Sequence, residues 1–270
     1  MNDPRRKLFV FDLDGTILNE KIVLSPRVES AIRFAVGCGH KVTLASGRGC
    51  PPTQLFARRL GIREPVICYQ GAVVESPDGK PLLLETMPVS TAREIAKWAA
   101  ENDLDVTMYQ DGKVLTRGIR QGSAFYNRWF GLPVEVVDDL ESAVKEVIKF
   151  IVTIPPEEND SVREMAQKAF GDRVQVVKSH EFFVELVPKG ISKGTALEFL
   201  ASHLGVRRED VIAVGDNEND LEMILWAGTG VAMGNASPNL IEAADWVAPS
   251  VENDGVVDVL ARYGGSRCAK

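Results

Sequence analysis

Histidine is scarce in this chain, with three in 270 residues, which argues against catalysis that depends on a histidine cluster. Cysteine is sparse as well. Cys38, Cys50, Cys68 and Cys268 show neither metal-type nor redox-type spacing and read as free thiols of a reducing compartment. Long apolar runs are missing, and none approaches the ~20 residues of a membrane span. The opening Met1 to Lys7 is charged, and only Leu8 to Phe11 follow before an aspartate, too short for the apolar region of a signal peptide. A cytoplasmic location with no membrane partner is the expectation. Basic charge is also in deficit. A formal net charge of −7 argues against nucleic acid as a partner, because binding a phosphate backbone needs a basic face. It leaves room for local binding of a small phosphorylated molecule. The rest of the composition is ordinary for a globular protein, 45% hydrophobic and 26% charged, and the length suits one large domain or two. A monomer or small homo-oligomer is expected.

Along the chain, apolar strands alternate with amphipathic helices. Lys7 to Asp12 predicts a short buried strand that stops at an acidic, glycine-containing turn. Ser25-Pro26 predicts an N-cap and a first-turn proline, with Val28, Ala31, Ile32 and Ala35 at helical spacing. Strands at Lys41 to Ala45 and Pro65 to Tyr69 flank a helix at Gln54 to Leu60. Such alternation implies right-handed crossovers and a parallel sheet. From about Leu84 to Pro188 the pattern changes to hairpin-like strand pairs, one around Asp111-Gly112, and helices at Ser90 to Glu101 and Asp160 to Phe170. Alternation resumes at Ser192 and runs to a last helix at Gly255 to Tyr263. The expected fold is α/β: a Rossmann-like parallel-sheet core domain, residues 1–84 and 189–270, interrupted by an α+β cap domain, residues 85–188. Hinges are expected near Pro81 to Pro88 and Pro188 to Gly190.

Four polar clusters sit where strands end or helices begin, the places where sites form in open parallel sheets. In Asp12-Leu13-Asp14-Gly15-Thr16, two carboxylates on alternate residues repel unless a proton or cation separates them, and a hard cation such as Mg²⁺ with oxygen ligands answers that need. A solvated acidic turn is the plainer alternative. A calcium loop is excluded, because Gly15 is not the sixth residue from Asp12 and Val23 stands where a twelfth-position glutamate belongs. Ser46-Gly47-Arg48 offers a hydroxyl and backbone N–H groups to phosphate oxygens, or is an ordinary turn. Lys193, at a helix start, opposes the helix dipole, which points to a role toward an anion. In Gly215-Asp216-Asn217-Glu218-Asn219-Asp220, Asp216 offers a third carboxylate to a metal, with Asn219 and Asp220 to orient its neighbours. The alternative there is an acidic helix cap.

In this order, the four clusters resemble the motifs of the haloacid dehalogenase-like superfamily, in particular its Cof-like, type-IIB sugar-phosphatase group. The resemblance covers essentially the whole chain and extends to Met233-Gly234-Asn235-Ala236. It departs at Tyr69-Gln70-Gly71, where members often show asparagine before glycine. The resemblance implies a Mg²⁺-dependent phosphatase acting on a small phosphorylated metabolite, such as a sugar phosphate, through an aspartyl-phosphate. Asp12 would be nucleophile and metal ligand. Asp14 would be general acid and then base, with its backbone carbonyl or carboxylate near Mg²⁺. The Leu13 backbone N–H, Ser46, Gly47, Lys193 and Asn219 would hold the phosphoryl oxygens. Asp216 would bind Mg²⁺ with support from Asp220, and Arg48 would contact the leaving group. The cap would read that group through residues among Tyr109, Arg117, Arg120, Tyr126, Arg128, His180, Glu181 and Glu185. A phosphotransferase or phosphomutase with the same chemistry, and a non-catalytic phosphate-binding module, are the alternatives.

Overall fold

The computed structural model describes residues 6–122, 125 and 131–264. Strand β1 (Leu8–Phe11) is apolar throughout and fully buried. A strand with no polar face needs cover on both sides, and successive side chains point to opposite layers. Phe9 and Phe11 join a cluster with Val28 and Ile32 of the helix Pro26–Gly37 and Val256 and Val259 of the helix Gly255–Tyr263. Leu8 and Val10 join another with Ala196, Leu197 and Leu200 of the helix Lys193–His203.

β1 is an interior strand of a five-stranded parallel sheet, paired on both sides. Its order is β14 (Trp246–Val247), β13 (Thr229–Ala232), β12 (Val211–Gly215), β1, β2 (Lys41–Leu44). Phe11 is level with Val214 on one side and Leu44 on the other. Asp12, Asp216 and Ser46 therefore leave the sheet close together at its carboxyl edge. The chain steps from β1 to β2 and later returns to lay β12 on the opposite flank. That reversal of strand order opens a crevice at the carboxyl ends, the usual ligand position in open α/β sheets.

A second sheet lies within the middle of the chain. It comprises β6 (Asp105–Gln110), β7 (Lys113–Thr116), β8 (Val134–Val136), β9 (Lys149–Thr153), β10 (Val174–His180) and β11 (Phe183–Pro188). The order is β10-β11-β9-β6-β7-β8, antiparallel except between β7 and β8. One face carries Met108, Phe150, Val152, Val184 and Leu186, clustered with Ala92 and Ile95 of the helix Val89–Glu101 and with Ala166 and Phe170 of the helix Asn159–Phe170. The alternate residues Tyr109, Lys149, Ile151, Phe183 and Glu185 line a pocket shared with Asp12 and Asp14. A period of two thus gives this sheet one face for its own helices and one for the site.

Part of the expected first hinge is a strand. Pro81–Leu84 is β5, antiparallel to β4 (Val73–Glu75), which pairs in turn with β3 (Val66–Cys68). Proline is tolerated as the first residue of a strand, and three leucines follow it. β3 meets the parallel sheet through a single bridge, Ala45 to Ile67. The helix expected from Gln54 starts at Cys50, because Pro51 and Pro52 fit a first turn. No helix among the described residues is long and apolar enough to cross a membrane. Cys38, Cys50 and Cys68 are free thiols, and Cys268 lies outside the described residues.

Candidate active site

β1 delivers Asp12 into the crevice. Its N–H donates to the Val214 carbonyl at 3.0 Å, one residue beyond the strand. The chain then folds back, with the Leu13 carbonyl accepting from the N–H groups of Ile17 and Leu18 at 3.0 and 2.7 Å. The Leu13 side chain is fully buried, which anchors the loop while Asp12 and Asp14 line the pocket. Gly15 has φ 88°, and a Cβ there would stand 2.2 Å from Asp216 Oδ2. Asn235 holds the same loop by donating Nδ2 to the Gly15 carbonyl at 2.9 Å. Left-handed backbone at a non-glycine residue costs about 1–3 kcal/mol, and with the added overlap Gly15→Ala is expected to lower kcat/KM by at least about tenfold. Steady-state kinetics test this; unchanged values would mean that Asp216 need not stand where it does.

Lys193 reaches Asp12 from the opposite side. Ser192 caps its helix, accepting from the Thr195 N–H at 3.1 Å while the Thr195 hydroxyl accepts from the Ser192 N–H at 3.0 Å. This reciprocal box fixes the helix start. Lys193 Nζ donates to Asp12 Oδ1 and to Asp220 Oδ1, both at 2.6 Å, from a side chain only 1% exposed. Burial works against the ammonium, but Asp12 and Asp220 outweigh it and hold its pKa above the usual lysine range. The other Asp220 oxygen accepts from the N–H groups of Asp216 and Asn217 at 3.0 and 3.2 Å. Both Asp220 oxygens are therefore engaged, and Asp220 anchors Lys193 and the turn that carries Asp216.

Carboxylate oxygens of Asp12, Asp216 and Asp220 lie within 4.8 Å of one another. The Thr16 hydroxyl donates to Asp216 Oδ1 at 2.9 Å. Burial pushes the Asp12 carboxyl up to about 7, against the pull of Lys193 and with a further push from Asp220 and Asp14. Burial, with the charges of Asp12 and Asp220, also raises Asp216 well above the ordinary carboxylate range. Carboxylates crowded in this way around one ammonium suit a further cation. The donors are all oxygens, the set preferred by Mg²⁺, which is commonly held by one or two carboxylates, waters and a substrate phosphate. Asp12 and Asp216 have the oxygens to offer.

Asp14 stands apart from that cluster. Its carboxylate accepts two bonds from Arg48, through Nε and Nη2 at 2.7 Å each. Of Asp14, the main-chain carbonyl is the oxygen left to a metal. Arg48 is likewise engaged with Asp14, so a leaving group would have to share it. Ser46 does not line the pocket: its Oγ accepts from the Arg48 N–H at 3.1 Å. Gly47 and Asn219 do line it, and Lys193 borders an adjoining cavity together with Asn219.

Tyr109, His180 and Glu185 of the expected cap contacts line the pocket, whereas Arg117, Arg120 and Glu181 do not. Arg120 pairs with Asp103 at 2.6 Å on the surface. Tyr126 and Arg128 lie outside the described residues. Two pocket residues that the sequence reading does not single out for the site are Lys149 and the side chain of Gln70. Lys149 Nζ donates to Glu185 Oε2 at 2.6 Å and to the Gly47 carbonyl at 2.8 Å, and stands 4.8 Å from the centre of the Tyr109 ring. Burial pushes its pKa down, opposed by Glu185. The available signal was a lysine in the apolar run Val147 to Val152 matched by a glutamate in Phe182 to Val187. Opposite charges in two apolar strands are expected to be paired or used.

A model of the haloacid dehalogenase-like hydrolase family matches residues 9–260. YkrA of Bacillus subtilis, provisionally named a phosphatase, is 30% identical over 96% of this chain and 98% of its own length. The chloroplastic endoribonuclease YBEY of Arabidopsis thaliana is 28% identical over 96% of this chain but 47% of its own, so the chain spans about half of that relative. A solved haloacid dehalogenase-like hydrolase from Bacteroides thetaiotaomicron matches with a TM-score of 0.84 at 29% identity, covering 95% of this chain and 99% of the other.

Proposed function

The chain belongs to the haloacid dehalogenase-like hydrolase family, and we propose that this phosphatase is Mg²⁺-dependent and cleaves a small metabolite phosphate through an aspartyl-phosphate on Asp12. The observation that carries the reading is the state of Asp12. One oxygen is held by Lys193, the other is left to react, and the residue sits in a pocket at the carboxyl end of β1.

In this mechanism the remaining Asp12 oxygen attacks phosphorus and the bond to the leaving oxygen breaks, splitting hydrolysis into two displacements. Asp14, once turned from Arg48 and carrying a proton taken up from solvent, gives that proton to the leaving oxygen. It then takes a proton from the water that attacks the aspartyl-phosphate, releasing phosphate and restoring Asp12. Such proton transfer contributes on the order of 10²–10⁴-fold. Lys193, Asn219, Gly47 and the Leu13 N–H hold the phosphoryl oxygens, and Ser46, outside the pocket lining, would join them only through its hydroxyl O–H, because its oxygen accepts from the Arg48 N–H. Mg²⁺, bound by Asp12, Asp216 and the Asp14 carbonyl, would offset the charge of nucleophile and phosphate.

Residues 85–188 act as the cap and residues 1–84 and 189–270 as the core. Contacts between the two units support a docked cap: Lys149 to the Gly47 carbonyl, Arg163 to Glu218 at 3.1 Å, and Asn217 to the Ser179 carbonyl at 3.1 Å. The test is phosphate release from a panel of metabolite phosphates, with Mg²⁺ or with a chelator. Release that needs Mg²⁺ is expected. Release from no ester by folded, Mg²⁺-supplied protein would contradict the reading.

A further inference from the structure

We propose that Gln70 is a positioning residue that couples docking of the cap to the phosphoryl-binding end of the site, an inference that rests on the phosphatase reading above. Gln70 is the position where the chain departs from the asparagine often found in the group it resembles, and glutamine reaches one methylene further. Its backbone is left-handed at φ 61°, and its N–H donates to the Ser46 carbonyl at 3.1 Å. The side chain is buried and bridges the two units. Nε2 donates to Glu185 Oε1 of the cap at 2.9 Å, and Oε1 accepts from Asn219 Nδ2 of the core at 3.0 Å.

The chemistry of these groups fixes the order of the chain. Glu185 is a carboxylate held by Lys149, so it accepts and does not donate. The amide NH₂ of Gln70 must face it. The Gln70 carbonyl then faces Asn219, which must present its own NH₂. Asn219 is left with one spare N–H and with a buried Oδ1 that has no partner among the described residues. Glu185 thus dictates, through Gln70, which way the Asn219 carboxamide points. With the cap undocked, Gln70 loses the bond that orients it, and Asn219 loses its fixed direction. Leaving-group residues on the cap and phosphoryl contacts on the core are in this way set together.

An exchange of partners tests the coupling. Gln70→Glu places two carboxylates against each other, whereas Gln70→Glu combined with Glu185→Gln restores a donor–acceptor pair with the same total charge. The single variant is expected to lose at least about tenfold in kcat on p-nitrophenyl phosphate with Mg²⁺, and the exchanged pair to recover to within about threefold of wild type. Gln70→Asn keeps the carboxamide but falls short of Glu185, and is expected to lose kcat similarly. The second readout needs no turnover. Orthovanadate with Mg²⁺ should slow amide hydrogen exchange in Phe183–Pro188 in the wild type and in the exchanged pair, but not in Gln70→Glu. Wild-type kcat in Gln70→Asn, or an exchanged pair that folds but is no better than Gln70→Glu, would overturn the coupling. An inactive wild type would instead sink the phosphatase reading, with hydrogen exchange still deciding the role of Gln70.

Discussion

Asp12→Asn is expected to lower turnover by on the order of 10⁴–10⁶-fold, the range seen when a nucleophile is removed from a cooperating site. The substitution changes little else. An amide oxygen in the same place can still accept from Lys193, so the 2.6 Å contact has a substitute. The amide nitrogen that replaces the other oxygen does not attack phosphorus. Stability should hold or rise. Burial raises the Asp12 carboxyl to about 7, so the unfolded chain gives up this proton at lower pH than the native one does. The charged residue therefore costs stability increasingly from about pH 4 to about pH 7, and a neutral amide removes that cost. Phosphate release with Mg²⁺, circular dichroism and a thermal melt read all three. Activity within about tenfold of wild type, with normal circular dichroism, would sink the nucleophile assignment.

Lys193→Met is expected to be the most destabilising single change in the site. The ammonium is buried between Asp12 and Asp220, and its loss strands two carboxylates beside Asp216. Breaking a buried pair by removing one partner typically costs about 3–5 kcal/mol. The sign with pH is fixed by the raised pKa of Lys193: its contribution is present throughout the range below the ordinary lysine pKa, so the deficit should show across neutral pH. Adding Asp220→Asn removes one stranded charge and should restore part of the urea midpoint while leaving the activity low. Equal urea midpoints for wild type and Lys193→Met would contradict the assigned role.

The meeting of Asp12, Lys193, Asp216 and Asp220 was legible because each lies at the end of an apolar strand, at the start of a capped helix, or one turn beyond. Strand order does the rest. What each side chain bonds was not legible. The two hydrogen bonds from Arg48 to Asp14 depend on a guanidinium folding back over 34 residues. The pair of Lys149 and Glu185 depends on strand register across 36 residues, although a charge in each of two apolar runs was visible. Gln70 could be seen only as a departure from a resembling pattern, since its partners lie in two other segments. From sequence alone β5 looks like a hinge, because its proline masks the three leucines that follow it.

The most direct test of the account is chemical trapping of the intermediate. The protein would be mixed with Mg²⁺ and an ester that it hydrolyses, quenched in acid during turnover and reduced with borohydride, which converts an aspartyl-phosphate to homoserine. Peptide mass spectrometry should then find homoserine at position 12, dependent on both Mg²⁺ and ester and absent from Asp12→Asn. Homoserine at another aspartate, or none under conditions of confirmed turnover, would contradict a mechanism that runs through Asp12.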